Sequence, residues 1–170
     1  MQKKLLIAGF TVLYLIAGCG AEAFGQRRTK STRTKTTSVV QERKQGARDV
    51  GVQLTNLTKF LFVLGGVATG IEQIDKDVRA GRATPEIERS NREFKGNVIA
   101  SVRALRGGLV KLTIDFRTKR GLKQYLPLIE GLVDESARAE DFATAGRFNQ
   151  CGEQLLAIAN RLTNVLVEMP

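Results

Sequence analysis

Six arginines are the residues whose type and spacing come closest to a chemical device. Arg89, Arg103 and Arg117 form one set at 14-residue steps, and Arg92, Arg106 and Arg120 form a second at the same step. At about 100° per residue, 14 steps along a helix return almost to the starting azimuth. The six guanidinium groups should therefore form a ladder down one flank. Arginine forks bind carboxylate and phosphate bidentately, which suits a docking strip for an anionic partner. The blander reading is a solvated stripe paired with acids of a neighbouring helix, such as Glu72, Asp75 and Asp77 or Glu130, Asp134 and Glu135.

Catalytic and metal chemistry find little support. The chain has no histidine, which removes the usual general base near neutral pH and excludes the Ser-His-Asp and Cys-His mechanisms. Acids cluster at Glu72, Asp75 and Asp77 and at Asp134, Glu135, Glu140 and Asp141. Di-metal helical bundles need Glu-x-x-His, and a calcium loop needs patterned oxygen ligands around a glycine; neither occurs. No phosphate-cradling loop or nucleophile elbow is found. The expectation is a non-enzymatic protein with no metal and no cofactor.

The amino terminus reads as an address. Lys3 and Lys4 precede an uncharged apolar run from Leu5 to Ala17, and small residues follow. That order matches a secretory signal peptide, and the run is short for a membrane span of about 20 residues. Ile16-Ala17-Gly18-Cys19 resembles the lipobox of bacterial lipoproteins, in which the cysteine is diacylated and becomes the new amino terminus. The resemblance covers this segment alone. It implies a signal peptide over residues 1–18, lipidation at Cys19, and export to the periplasmic face of a membrane, with Gly20 favouring the outer membrane. Ala21-Glu22-Ala23 also fits ordinary signal peptidase, which would discard Cys19. In either case Cys151, the other of two cysteines, has no intramolecular partner. It reads as a half-buried small hydrophobe or as the site of an intermolecular disulfide.

Most of the chain's basicity lies in one stretch. Residues 26–48 carry eight basic side chains against Glu42 alone, a net charge of +7 within a total of +10. Residues 19–37, rich in Ser, Thr, Lys and Arg, have too little apolar surface to offset ordering entropy, so they read as a disordered tether. Arg27, Arg28, Lys30, Arg33 and Lys35 then serve as spacer charges or as electrostatic contacts to anionic headgroups or envelope polymers. Nucleic acid is not expected, because no aromatics interleave the charges.

From Ala47 onward, apolar residues recur at helical steps. Ala47, Val50, Leu54, Leu57, Leu61, Leu64, Ala68 and Ile71 alternate steps of three and four, the seam of a helix packed on neighbours. Phe60, Phe62 and Val63 broaden the stripe, so its middle turns should be buried nearly all round. Thr84-Pro85-Glu86 supplies an N-cap hydroxyl, a first-turn proline and a first-turn acid. Ile87, Phe94, Val98, Val102, Leu105, Leu109, Leu112 and Phe116 mark the second apolar face, with a kink allowed at Gly107-Gly108. Lys119-Arg120-Gly121 reads as a helix end with a C-cap glycine. A third helix carries a proline kink at Pro127, and a fourth presents Phe142, Ala145, Phe148, Gly152, Leu155, Ala159, Leu162 and Leu166.

The fold expected from this is all-α. Residues 38–170 form an up-down four-helix bundle, with helices at about 38–79, 85–118, 122–134 and 137–167, or a three-helix arrangement bracketed by the third. The function expected is that of an exported, lipid-anchored envelope protein acting by protein or envelope contact. A periplasmic carrier of a small apolar ligand, held near Phe60, Phe62, Phe94 and Phe116, is the alternative, and an enzyme without histidine comes third. A homodimer through Cys151 or the Gly66–Gly70 face stays open.

Overall fold

The computed structural model describes residues 30–169, with side chains from residue 36. The described chain is all-helical. It comprises α1 (Lys30–Arg79), α2 (Pro85–Thr118), a 3-10 turn (Lys123–Tyr125), the single-turn α3 (Leu126–Ile129), α4 (Leu132–Thr144) and α5 (Phe148–Glu168). Among the described residues no strand occurs. The expected signal segment, Cys19, Arg27 and Arg28 lie outside them.

The core follows the apolar periods. Val50, Leu57, Leu64 and Ile71, seven residues apart on α1, are buried, while Ala47, Leu54 and Leu61 are half-buried at the seam's edge. From α2 come Val98, Val102, Leu105, Leu109, Leu112 and Phe116, and from α5 Phe148, Leu155, Ile158, Leu162 and Val165. α1 packs against α2 and α5, and α4 packs against the same two helices.

Helix α1 starts earlier than its composition suggested. Residues 30–37, expected as tether, form its first turns. The reason lies just downstream, where α1 clasps the turn after α2. Glu42 Oε2 accepts from the Gly121 N–H at 2.7 Å, and Arg43 donates to the Gly121 carbonyl at 3.4 Å and to Gln124 at 3.3 Å. A helix nucleated there extends backward at a cost of only tenths of a kcal/mol per Ser, Thr or Lys. Gly121 is thus no left-handed cap. It is buried, and a Cβ there would stand 2.7 Å from the Val39 carbonyl oxygen.

The α1–α2 boundary falls where the capping residues indicated. Thr84 Oγ1 accepts from the Ile87 N–H at 3.4 Å, with Pro85 next. Gly81, at φ 67°, closes α1; its N–H bonds the Val78 carbonyl and that of Arg82 bonds Asp77, a Schellman end. α2 continues through Gly107-Gly108, where a Cβ on Gly108 would meet Gln53 of α1.

The third and fourth helices divide differently from the expected 122–134 and 137–167. The breaks fall at Gly131 (φ 86°) and Gly146 (φ 72°), both left-handed. Gly146 completes a second Schellman end, with its N–H on Ala143 and that of Arg147 on Phe142. Pro127 begins α3 instead of kinking a longer helix. Arg161 of α5 ties this region down by donating to the Leu128 and Glu130 carbonyls at 3.2 and 2.7 Å and to Glu135 at 2.6 Å.

Two glycines with opposite surroundings offer a test. Gly121→Ala should destabilise the chain by about 1–3 kcal/mol, because a backbone oxygen cannot step aside. Gly66→Ala on α1, where nothing lies within 4 Å of the added methyl, should stabilise it by about 0.5–1 kcal/mol. Urea denaturation of the two variants reads both signs.

Candidate functional site

The arginine ladder is split by the fold. Arg103 Nε and Arg106 Nη1 of α2 both reach Glu140 of α4, at 2.8 and 3.0 Å. Their hydrogen bonds, Arg103's first, hold the Glu140 carboxyl below its usual range against the opposing effect of burial. Arg92 pairs with Glu88 on its own helix at 3.4 Å. Arg89, Arg117 and Arg120 are exposed. The middle of the ladder is therefore a clamp between α2 and α4, and its two ends face solvent. Lys30, Arg33 and Lys35 belong to the first turns of α1.

Four of the six acids named as partners for the ladder, Glu72, Asp75, Asp77 and Glu135, are engaged elsewhere. Asp75 takes Lys95 at 2.5 Å and the Asn91 amide at 2.6 Å, Asp77 takes Arg82 at 2.6 Å, and Glu135 takes Arg161. The Arg82 hydrogen bond leads in drawing the Asp77 carboxyl down. Glu140 had a visible charge but an unreadable position, because the third and fourth helices were divided in the wrong place.

Near the far end of α1, Glu72, Asp75, Lys76, Arg79, Arg147 and Asn149 line a cleft of 460 Å³. Glu72 accepts from the Asn149 amide at 2.9 Å. The buried Asn91 leaves its Oδ1 without a protein partner. Arg147 stacks over the Phe142 ring at 4.8 Å, a contact that covers the turn between α4 and α5. The two acids of the cleft are taken by neighbours on other helices, Glu72 by Asn149 and Asp75 by Lys95 and Asn91, which joins helices. Among the described residues, no group of three or more His, Cys, Asp or Glu side chains could hold a metal ion.

Cys151 corrects a second expectation. It is fully buried on α5, and burial pushes its thiol up to about 11. A disulfide between two copies would require the domain to open first.

Helix α1 departs most from expectation on its outer side. Phe62 is 85% exposed and Val63 59% exposed, although the middle turns were expected to be buried nearly all round. Neighbouring helices cover the seam and leave the opposite side bare. Phe94 of α2 is likewise exposed, whereas Phe116 is in the core, so the four aromatics do not gather around one ligand. Between α1 and α5, Leu61, Leu64, Gly65, Ala68, Phe148 and Leu156 line an apolar groove of 320 Å³. Gly66 and Gly70 face open space. α1 also contains an 18-residue window of mean hydropathy 1.4, of which 22% is buried.

No protein-family model, curated protein or solved structure matches the chain.

Two measurements follow from this geometry. Because the folded Glu140 carboxyl titrates low, the clamp's contribution is complete above its ordinary 4.5 and disappears as pH falls through the lower folded value. Glu140→Gln should lower unfolding free energy at pH 7 by about 0.5–1 kcal/mol and flatten that part of the acid-side loss in a denaturation series. Separately, in the Cys19→Ser chain, where Cys151 is the sole thiol, Cys151 should resist a thiol reagent at pH 8 when folded and react promptly in denaturant. Rapid labelling of the native chain would contradict its burial.

Proposed function

We propose that this chain is an exported, lipid-anchored protein of the bacterial envelope, acting through contact with a protein or with the envelope itself and not through catalysis. The observation that carries the reading is the order of Lys3 and Lys4, the uncharged run Leu5 to Ala17, and Cys19 at the end of Ile16-Ala17-Gly18-Cys19. The fold that fits it is an up-down four-helix bundle of α1, α2, α4 and α5. Residues 1–18 act as the signal peptide, and the tether is shortened to the stretch before Lys30.

Distance supports an anchored domain. Residues 20–29 separate Cys19 from α1. At about 3.4 Å per extended residue, they keep the start of the helix within roughly 35 Å of an acylated cysteine. Arg27, Arg28, Lys30, Arg33 and Lys35 then lie close to anionic headgroups, where each is worth on the order of 1 kcal/mol. The solvent-facing Arg89, Arg117 and Arg120 suit an acidic protein or an anionic envelope polymer.

A carrier of a small apolar ligand is the second reading. It is favoured by the 320 Å³ groove between α1 and α5, a different location from the aromatic set that first suggested it. Saturable binding of an apolar fluorophore, weakened by Gly152→Leu, would advance it over contact alone.

Fractionation of cells making the full chain, followed by mass spectrometry of the amino terminus, tests the main reading. The expected result is an envelope-bound protein that begins at diacylated Cys19 and is released or left unprocessed by Cys19→Ser. A mature chain starting at Phe24 would replace the lipid anchor with ordinary cleavage. Unprocessed protein in the cytoplasm would remove the reading altogether.

A further inference from the structure

The outward face of α1 has a composition that folding does not account for. Lys44, Arg48, Val52, Lys59, Phe62 and Val63 are all exposed, and their spacing lays them along one side of the helix. From Lys44 to Phe62 this face extends about 27 Å at 1.5 Å per residue. Between Lys44 and Val63 the one acid, Asp49, sits at the edge of this face and is bonded by Gln45 of the preceding turn. The other acids of α1 are engaged as well: Glu42 with Gly121, Glu72 with Asn149, Asp75 with Lys95, and Asp77, about five turns beyond Lys59, with Arg82. None of the five is fully exposed. Beyond Phe62, Gly66 and Gly70 add no bulk, so the surface stays level.

We infer that this face of α1 lies on an anionic lipid surface, with Phe62 and Val63 inserted at the headgroup–acyl boundary and Lys44, Arg48 and Lys59 on lipid phosphates. A long helix with a predominantly basic side and a compact apolar patch is the form such interfacial elements take, with the apolar part about 5–10 Å deep. Charge complementarity selects this occupant. A second copy would bring the lysines and arginine of this face up against another basic face. A bilayer offers the opposite sign over the full length of the face. The proposed anchor agrees, since an acylated Cys19 eleven residues ahead of Lys30 would bring α1 to the membrane without further contacts. The inference rests on the membrane location just proposed, but it concerns the folded helix and does not need acylation.

The chain contains no tryptophan, so Phe62→Trp introduces a single local reporter, with Ile114→Trp on the exposed side of α2 as control. The full chain carrying Cys19→Ser is added to vesicles of phosphatidylcholine with and without 30% phosphatidylglycerol, and quenching by brominated acyl chains is read. The Phe62→Trp emission should shift to the blue and be quenched by the anionic vesicles, while the control should change little. Reversing Lys44 and Lys59 to Glu should lower the ratio of engaged to free face by about 25-fold or more, at about fivefold per basic residue lost. Unquenched Phe62→Trp emission on chains that sediment with the vesicles would overturn the inference, because binding would then run through the amino-terminal segment alone. A blue shift without lipid that grows with concentration as the mass doubles would also overturn it, in favour of a second copy. Failure of the export reading would appear elsewhere, as an unmodified Cys19 in cells, and would leave the vesicle result standing.

Discussion

Burial of the α1 seam is the contact on which the other helices depend. Val50, Leu57, Leu64 and Ile71 are closed over by α2 on one side and α5 on the other, and α4 is held through those two helices. A 50-residue helix with glycines at 46, 51, 65, 66 and 70 has little stability of its own, since each interior glycine costs about 1 kcal/mol relative to alanine. Packing therefore supplies what propensity withholds. Two of these glycines repay their cost differently. Gly46 lies so close to Leu122 that a Cβ would collide with it, and Gly66 meets nothing.

Charged groups do a second job, fixing how the packed elements sit against one another. Several junctions have their own cation. Arg43 reaches across to the turn after α2, Lys95 ties α2 to α1 through Asp75, Arg103 and Arg106 tie α2 to α4 through Glu140, and Arg161 holds α3 and α4 to α5. Arg161 matters most where the apolar contribution is least. α3 is a single turn, and two of the carbonyls at its end bond to this one guanidinium. Such pairs add modest stability when exposed, but they select one arrangement of the helices over others of similar apolar content.

The parts legible in the sequence were those governed by local rules. The first two helices and the turn between them followed from a seven-residue apolar repeat and from Thr84-Pro85-Glu86, since periodicity and capping act over a few residues. The division of the carboxy-terminal third was missed because Gly131 and Gly146 signal only through φ, and glycine alone does not say whether a helix ends or continues. Gly107-Gly108 shows the opposite outcome with the same residue type. The arginine ladder was visible as a pattern, but its split depended on Glu140 arriving opposite Arg103 and Arg106, which is a matter of tertiary position. Helical order before Ser38 was hidden for a similar reason, because its cause is a turn about 80 residues away.

The two sides of α1 differ in what they require of the chain. Leu64 is 2% exposed and Phe62, two residues away, is 85% exposed. The seam is complete without Phe62, so no packing argument retains it. Isolated exposed apolar side chains such as Ile114 and Val167 are ordinary on a protein surface. Phe62 and Val63 differ from them in being adjacent, in sharing their side of the helix with bare glycines, and in having cations but no acids beside them. A surface with these properties resists self-association through its charge and resists plain solvation through its apolar centre. Both tendencies are relieved by one environment, in which negative charge and hydrocarbon lie within a few ångströms of each other, and the edge of a bilayer leaflet is such an environment.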